Sequence, residues 1–208
     1  MDNTNEIGIK ETDAAWLAGV FDMAGSIGII FVTGRTGRKY VTKRFQYCPQ
    51  MSFTITQNEV TRTKVSTIVE GEKIKAYWHI TPRKGNIDPE MQLVVRNWRG
   101  VQKLCQLLLP YAVTKKQHFQ TFLGFAEKYL KGRHVKILGR EWDEANLMFR
   151  RKVDWSAVEE FIDMVETLRA MSTKRGKYNL KWTPEKIRQT FREVDGELFP
   201  SSFIGMNR

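Results

Sequence analysis

Cysteine is scarce in this sequence. Its two copies, Cys48 and Cys105, match neither a disulfide framework nor a zinc site, which points to a reduced, intracellular protein. No apolar run is long enough to span a bilayer, so no membrane partner is expected. The opening "MDNTNEIGIKETD" is polar and partly acidic, unlike a signal peptide. Acidic residues are in deficit, 23 Asp and Glu against 34 Lys and Arg, for a formal charge of +11. That balance says little about fold but favours an anionic partner, nucleic acid or a membrane surface. A hydrophobic content of 41% and 12 Phe exclude a disordered basic protein. The 208 residues suffice for one sizeable core or two small ones.

What is present is a helix-to-strand alternation that later turns wholly helical. Asp13 is placed to cap a helix through "AAWLAGVFD", ended by Gly25. "SIGIIFV" reads as a strand and "TGRTGRK" as an exposed basic turn. From Arg44 to Gln57 the run "RFQYCPQMSFTITQ" alternates Phe45, Tyr47, Met51, Phe53 and Ile55 with Gln46, Cys48, Gln50, Ser52 and Thr54. A period of two gives one packed face and one polar face. Pro49 marks a bulge or an edge position in that strand. A helix over 58–71 follows, then strands "KIKAYWHI" and "EMQLVVRN" around the loop "TPRKGNIDP". After Gly100 come helices "VQKLCQLLL", stopped near Pro110, and "KKQHFQTFLGFAEKYLKG", ending at Gly132. Asp154 caps "WSAVEEFIDMVETLRAM", and Thr183 with Pro184 opens "WTPEKIRQTFREV". Residues 133–152 read as a loop with a short helix. The order is that of an α+β protein with a mostly antiparallel sheet.

A sheet covered by helices on one side leaves the other side free. Here the free face would offer Gln46, Gln50, Ser52 and Thr54, with Lys73, Lys75, Tyr77 and His79 from the third strand. Gln pairs bidentately with adenine in the major groove, and Lys donates to a guanine edge or a phosphate. Ile30 and Val32 add methyl groups, which suit thymine methyls or a strand that reads little. An ordinary solvated face has the same pattern; the net charge and the basic loops at 34–44 and 81–85 tip the reading toward DNA.

The stretch "LAGVFDMAG", Leu17 to Gly25, resembles the LAGLIDADG motif of homing endonucleases, with an aromatic before it and "SIGI" after it. "FTITQ" at 53–57 is similar to the end of the family's second strand, and "LLPYAVTKKQHFQTFLGF" at 108–125 to its turn into the following helix. The resemblance spans roughly residues 13–195 and includes only one motif. It implies an αββαββα fold whose antiparallel sheet forms a DNA-binding saddle, followed by additional helices. The division it suggests is an N-terminal tail at 1–12, a core at 13–132, an insertion or linker at 133–152, C-terminal helices of the same domain at 153–195 and a tail at 196–208. Single-motif members are homodimers on a long, near-palindromic site. The implied dimer interface is Leu17, Ala18, Gly19, Phe21 and Asp22, through the small residues Ala18 and Gly19.

The family's chemistry is Mg²⁺-dependent hydrolysis of a DNA phosphodiester in intron homing. Its metal ligand is the eighth of the nine motif residues, and here that position is Ala24. Alanine cannot coordinate a metal, and main-chain carbonyls near Met23 are weak replacements for a carboxylate. Asp22 matches a residue that is structural in the family, and it lies about 200° around the helix from Ala24. Gln57 matches the residue that positions water, and Lys115, with Lys116 as its alternative, matches the residue that stabilises charge. The resemblance therefore implies a site-specific double-stranded DNA endonuclease by ancestry that binds without efficient cleavage. Phosphate contacts are expected from Arg35, Arg38, Lys39, Lys43 and Arg44, from Arg83 and Lys84, and from Lys174, Arg175 and Lys177, with marked salt dependence. The alternatives are a non-catalytic DNA-binding regulator and an RNA-binding intron splicing factor, a maturase. The narrow, deep RNA major groove argues against the latter.

Overall fold

The structure, a computed structural model, describes residues 10–36, 42–56, 59–82, 90–131, 134–172 and 181–199. The chain divides into two compact units, Met1–Glu127 and Lys128–Arg208. Among the described residues no helix is long and apolar enough to cross a membrane.

In the first unit, helix α1 (Glu11–Ala24) leads into strands β1 (Gly25–Thr36) and β2 (Thr42–Thr56). Helix α2 (Glu59–Gly71), strands β3 (Tyr77–Thr81) and β4 (Glu90–Val95), and helices α3 (Trp98–Leu108) and α4 (Lys116–Tyr129) follow. The sheet order is β1-β2-β4-β3, every neighbouring pair antiparallel. Strands β2 and β3 therefore run in the same direction, and α2 supplies the crossover that parallel strands require. The unit combines helices with an antiparallel sheet, as the motif order implied.

Burial follows the period of two except at Ser52 and Val94, paired on the opposite face and also buried. On one face Ile27, Met51, Phe53, Met91, Leu93 and Val95 are buried, and α1 and α3 pack against β2 there. The rings of Phe21 and Phe53 meet edge to face at 6.2 Å, Phe21 also meets Phe119 at 5.4 Å, and Trp98 stacks on Phe122 at 5.6 Å. Such aromatic pairs add directional contact to the area they bury.

Several boundaries differ from the sequence reading, each for a local reason. Helix α1 begins at Glu11 with Lys10 in the cap position and no side-chain cap; Asp13 lies in the first turn and pairs with Lys64 at 2.9 Å. Helix α3 starts at Trp98 because Asn97 Oδ1 accepts from the Gly100 amide at 2.6 Å. A Cβ at Gly100 would lie 2.7 Å from Asn97 Nδ2, so the glycine belongs to this cap and does not precede the helix. The strand expected from Lys73 begins only at Tyr77. Lys73 adopts a left-handed φ of 53°; its amide donates to the Glu70 carbonyl and that of Ile74 to the Val69 carbonyl. This is a Schellman end to α2, closed by burial of Val69 and Ile74. Helix α4 stops at Tyr129, before Gly132.

Pro49 causes no bulge. The β1–β2 register runs unbroken from Gly25 opposite Phe53 to Thr36 opposite Thr42, with Pro49 opposite Ile29. Since β4 pairs with β2 only from Met51 onward, Pro49 sits where β2 has one neighbour, the edge setting in which a residue without an N–H is tolerated.

The second unit holds β5 (Leu130–Lys131) paired with β6 (His134–Val135), and a sheet of β7 (Leu138–Asp143), β8 (Met148–Val153) and β9 (Leu198–Phe199) in the order β7-β8-β9. Helices α5 (Trp155–Ala170) and α6 (Pro184–Val194) complete it. Within the 133–152 segment, Leu138 onward is thus strand β7 turning into β8, a hairpin and not a loop with a helix. Asp143 shapes its turn by accepting from the Asn146 amide, and Arg150 closes on Asp143 at 2.6 Å. Those bonds hold the Asp143 carboxyl down at about 2. The expected caps are present: Asp154 accepts from Ala157 N at 3.0 Å, and Thr183 from Lys186 N at 3.2 Å.

Candidate nucleic-acid interface

The alternate positions of the first unit's sheet make a second face that no helix of that unit is needed to cover. By register it carries Ser26, Gly28 and Ile30 of β1, Cys48, Gln50, Ser52 and Thr54 of β2, Gln92 and Val94 of β4, and Tyr77, His79 and Thr81 of β3. Tyr77, His79 and Thr81 are exposed. Of the residues expected to read bases, Gln50, Thr54, Tyr77 and His79 lie on this face. Gln46 is opposite Val32, Arg35 opposite Lys43, and Arg44 opposite Gly34 on the outer part of the β1–β2 hairpin; the strands extend into what read as a 34–44 loop.

Three expectations change. Ser52 is only 3% exposed: its hydroxyl lies 3.2 Å from that of Ser26 and accepts from Gln92 Nε2 at 3.3 Å. It is engaged within the sheet and not presented to a duplex. Lys73 and Lys75 are exposed but precede β3, in the turn after α2 and its exit, where the Lys75 carbonyl accepts from Asn97 at 3.1 Å. Arg38, Lys39, Gln57, Arg83, Lys84, Lys174, Arg175 and Lys177 lie outside the described residues.

The structure adds a residue that the sequence reading passed over. Arg96 follows β4 and continues its alternation onto the open face. Its Nε donates to Gln50 Oε1 at 2.6 Å, and its guanidinium lies 5.5 Å from the centre of the Tyr77 ring. Counting on by twos from Gln92 in "EMQLVVR" would have found it. Burial raises the Cys48 thiol, while the Arg96 charge acts in the opposite direction.

At the end of α1 the geometry concerns Asp22. Its Oδ2 accepts from the amides of Val113 at 2.6 Å and Thr114 at 3.2 Å, and its Oδ1 from that of Lys115 at 2.8 Å. Thr114 also donates its hydroxyl to the Asp22 carbonyl at 3.2 Å. Burial pushes the Asp22 carboxyl up, but the amide bonds from Val113, Lys115 and Thr114 outweigh it and hold the group below its ordinary range. An acid is the wrong charge for the end of α1 and the right one for the start of α4. The clasp brings the backbone of Lys115 to the end of α1; Lys115 is half-buried and Lys116 exposed.

This end of α1 does not fit a divalent cation. Ala24 is its exposed last residue and carries no donor; both oxygens of the Asp22 carboxylate are already engaged by amides. Among the described residues no group of three or more His, Cys, Asp or Glu side chains is gathered to hold a metal. Hard cations such as Mg²⁺ take carboxylate oxygens, which are lacking here.

Leu17, Ala18 and Phe21, expected at a dimer interface, are fully buried within the chain, and Asp22 is committed to the clasp. The opposite side of α1 carries Thr12, Trp16, Gly19 and Met23, at helical spacings of four, three and four. Met23 is 91% exposed, and a Cβ at Gly19 would meet nothing within 4 Å.

No family model and no curated protein matches the sequence. Solved structures do resemble it. The homing endonuclease I-CvuI, in complex with the I-CreI target in the presence of Mg, is 14% identical over 88% of this chain and 95% of its own, with a TM-score of 0.55. The archaeal intron-encoded homing endonuclease I-Vdi141I, complexed with DNA, is 15% identical over 88% and 97%, with a TM-score of 0.57. The group I intron-encoded homing endonuclease I-CeuI, also complexed with DNA, is 15% identical over 89% and 78%, with a TM-score of 0.52. At such identities the likeness is one of fold.

Proposed function

We propose that this chain, which has the LAGLIDADG homing endonuclease fold, is a sequence-specific binder of double-stranded DNA that does not cut efficiently. The observation that carries this reading is the pairing of the fold with the end of α1: Ala24 offers no ligand, and the neighbouring Asp22 is held by three amides. The polar sheet face and the excess of Lys and Arg suit a duplex major groove. Two strands of a sheet fit that groove, and lysines and arginines near it neutralise phosphates.

Two copies would meet along Thr12, Gly19 and Met23, the exposed side of α1, with the half-buried Trp16, whose ring Lys64 covers, at its edge. The residue without a side chain at 19 permits close helix approach, and Met23 loses its exposure on association. A homodimer of this kind sets a site with two related halves. By the family resemblance Lys115 and Gln57 would be remnants of the nuclease centre.

The test is selection from a randomised duplex library with the purified chain, with and without Mg²⁺. The reading expects a long, near-palindromic consensus, affinity that falls steeply with salt, and no strand cleavage. Enrichment of no duplex, or tighter binding of a structured RNA, would overturn it. Efficient double-strand cutting with Mg²⁺ would overturn the part resting on Ala24.

A further inference from the structure

We infer that Arg96 is a guanine reader of the open sheet face, and that Gln50 and Tyr77 hold its guanidinium in place and do not read bases themselves. The inference rests on the duplex-binding reading above and assigns a base to one side chain within it.

A free arginine side chain has many rotamers, and fixing it on binding costs entropy. Here two neighbours fix it beforehand. Gln50 Oε1 accepts from Nε at 2.6 Å, which orients the plane of the group. The Tyr77 ring, 5.5 Å from the guanidinium carbon, supports it from β3 by a cation–π contact. Among the described residues no carboxylate pairs with Arg96. The bond to Gln50 uses Nε and leaves the two terminal nitrogens, the pair of donors that matches guanine O6 and N7. Adenine offers a donor in place of O6 and opposes the same fork.

The arrangement also changes the reading of Gln50. A glutamine that pairs with adenine turns both its amide oxygen and its amide nitrogen to the base, and here the bond from Arg96 takes one of the oxygen's two lone pairs and aims the amide at the guanidinium. Room for a base edge lies beside the pair. Gly28 stands directly across from Gln50 on β1, on the same face, and a Cβ there would meet nothing within 4 Å.

An arginine fork also fits a phosphate, so the test separates the two. Base preferences at each site position are measured by duplex-library selection for the natural chain and for Arg96→Ala, Arg96→Lys and Gln50→Ala. Folding of each variant is checked by circular dichroism. The expected result for Arg96→Ala is loss of a guanine preference, on the order of ten- to a hundredfold, at one position of each half-site. Lysine, lacking the planar fork, fails to restore it. Gln50→Ala weakens the same preference severalfold and shifts no other position. If Arg96→Ala fails to fold, the Lys variant, which keeps charge and length, decides the matter at that position. Uniformly weaker binding with an unchanged preference profile would make Arg96 a phosphate contact and overturn the inference. So would a separate adenine preference that depends on Gln50 alone. Failure of the natural chain to select any duplex would instead remove the DNA-binding reading on which the inference rests.

Discussion

Replacing Asp22 by alanine removes the acceptor shared by three amides at the start of α4. Hydrogen bonds to an ionised group contribute about 1.5–3 kcal/mol each when judged singly. The three at Asp22 share one half-buried carboxylate, and water can satisfy the amides in part, so they do not add. Loss of an N-terminal cap costs about 0.5–2 kcal/mol. Together these place Asp22→Ala at about 2–4 kcal/mol, and Asp22→Asn, which keeps an acceptor but no charge, at about half of that. Urea unfolding followed by circular dichroism measures the shift in midpoint. The acid dependence carries a sign. The folded carboxyl lies below its ordinary value of 3.8, so its contribution is complete above that value and is lost as pH falls through the folded one. The gap between the natural chain and Asp22→Ala should be constant near neutrality and should close only below 3.8. A loss under about 0.5 kcal/mol, the level of an ordinary surface change, or a gap unchanged in strong acid, would refute the clasp.

Other substitutions bear on the same helix. At Gly25 a Cβ would lie 2.4 Å from the Phe21 carbonyl oxygen and 2.4 Å from Phe21 Cδ1; the backbone cannot retreat, so Gly25→Ala should destabilise by about 1–3 kcal/mol in thermal unfolding. Gly19→Arg should leave the folded protomer intact, since open space surrounds that position, yet separate the copies. Sedimentation equilibrium should then report a dimer for the natural chain and a monomer for the variant; a variant that stays dimeric would move the interface elsewhere.

How far the sequence anticipated the structure depends on where the signal was local. The caps at Asp154 and Thr183 were readable because each sits a fixed distance before an apolar period. The alternation in β2 gave its two faces correctly, Met51 and Phe53 inward and Gln50 and Thr54 on the other side. What escaped depended on partners far along the chain. Asp22 finds its amides 91 to 93 residues away, and Ser52 is closed off by Ser26 and Gln92. Lys73 takes a left-handed conformation that a glycine would ordinarily mark; the glycine at 71 stands two residues too early to signal it. The β7–β8 hairpin was hidden because charges occupy both of its faces. Lys152 meets Glu141 at 3.1 Å and Arg150 meets Asp143 on one face, while Arg140 and Arg151 interrupt the apolar run of Leu138, Trp142, Phe149 and Val153 on the other.

The central claim is that one missing carboxylate separates this chain from a nuclease, and it is tested most directly by Ala24→Asp. The site is the exposed last residue of α1, where a carboxylate can be added without disturbing the core. The natural chain and the variant are incubated with the duplex selected by the natural chain, with Mg²⁺ and with EDTA. The account predicts that both bind that duplex equally and that only Ala24→Asp cuts both strands, only with Mg²⁺. Cutting by the natural chain at a comparable rate, or tight binding by both forms with cutting by neither, would contradict it.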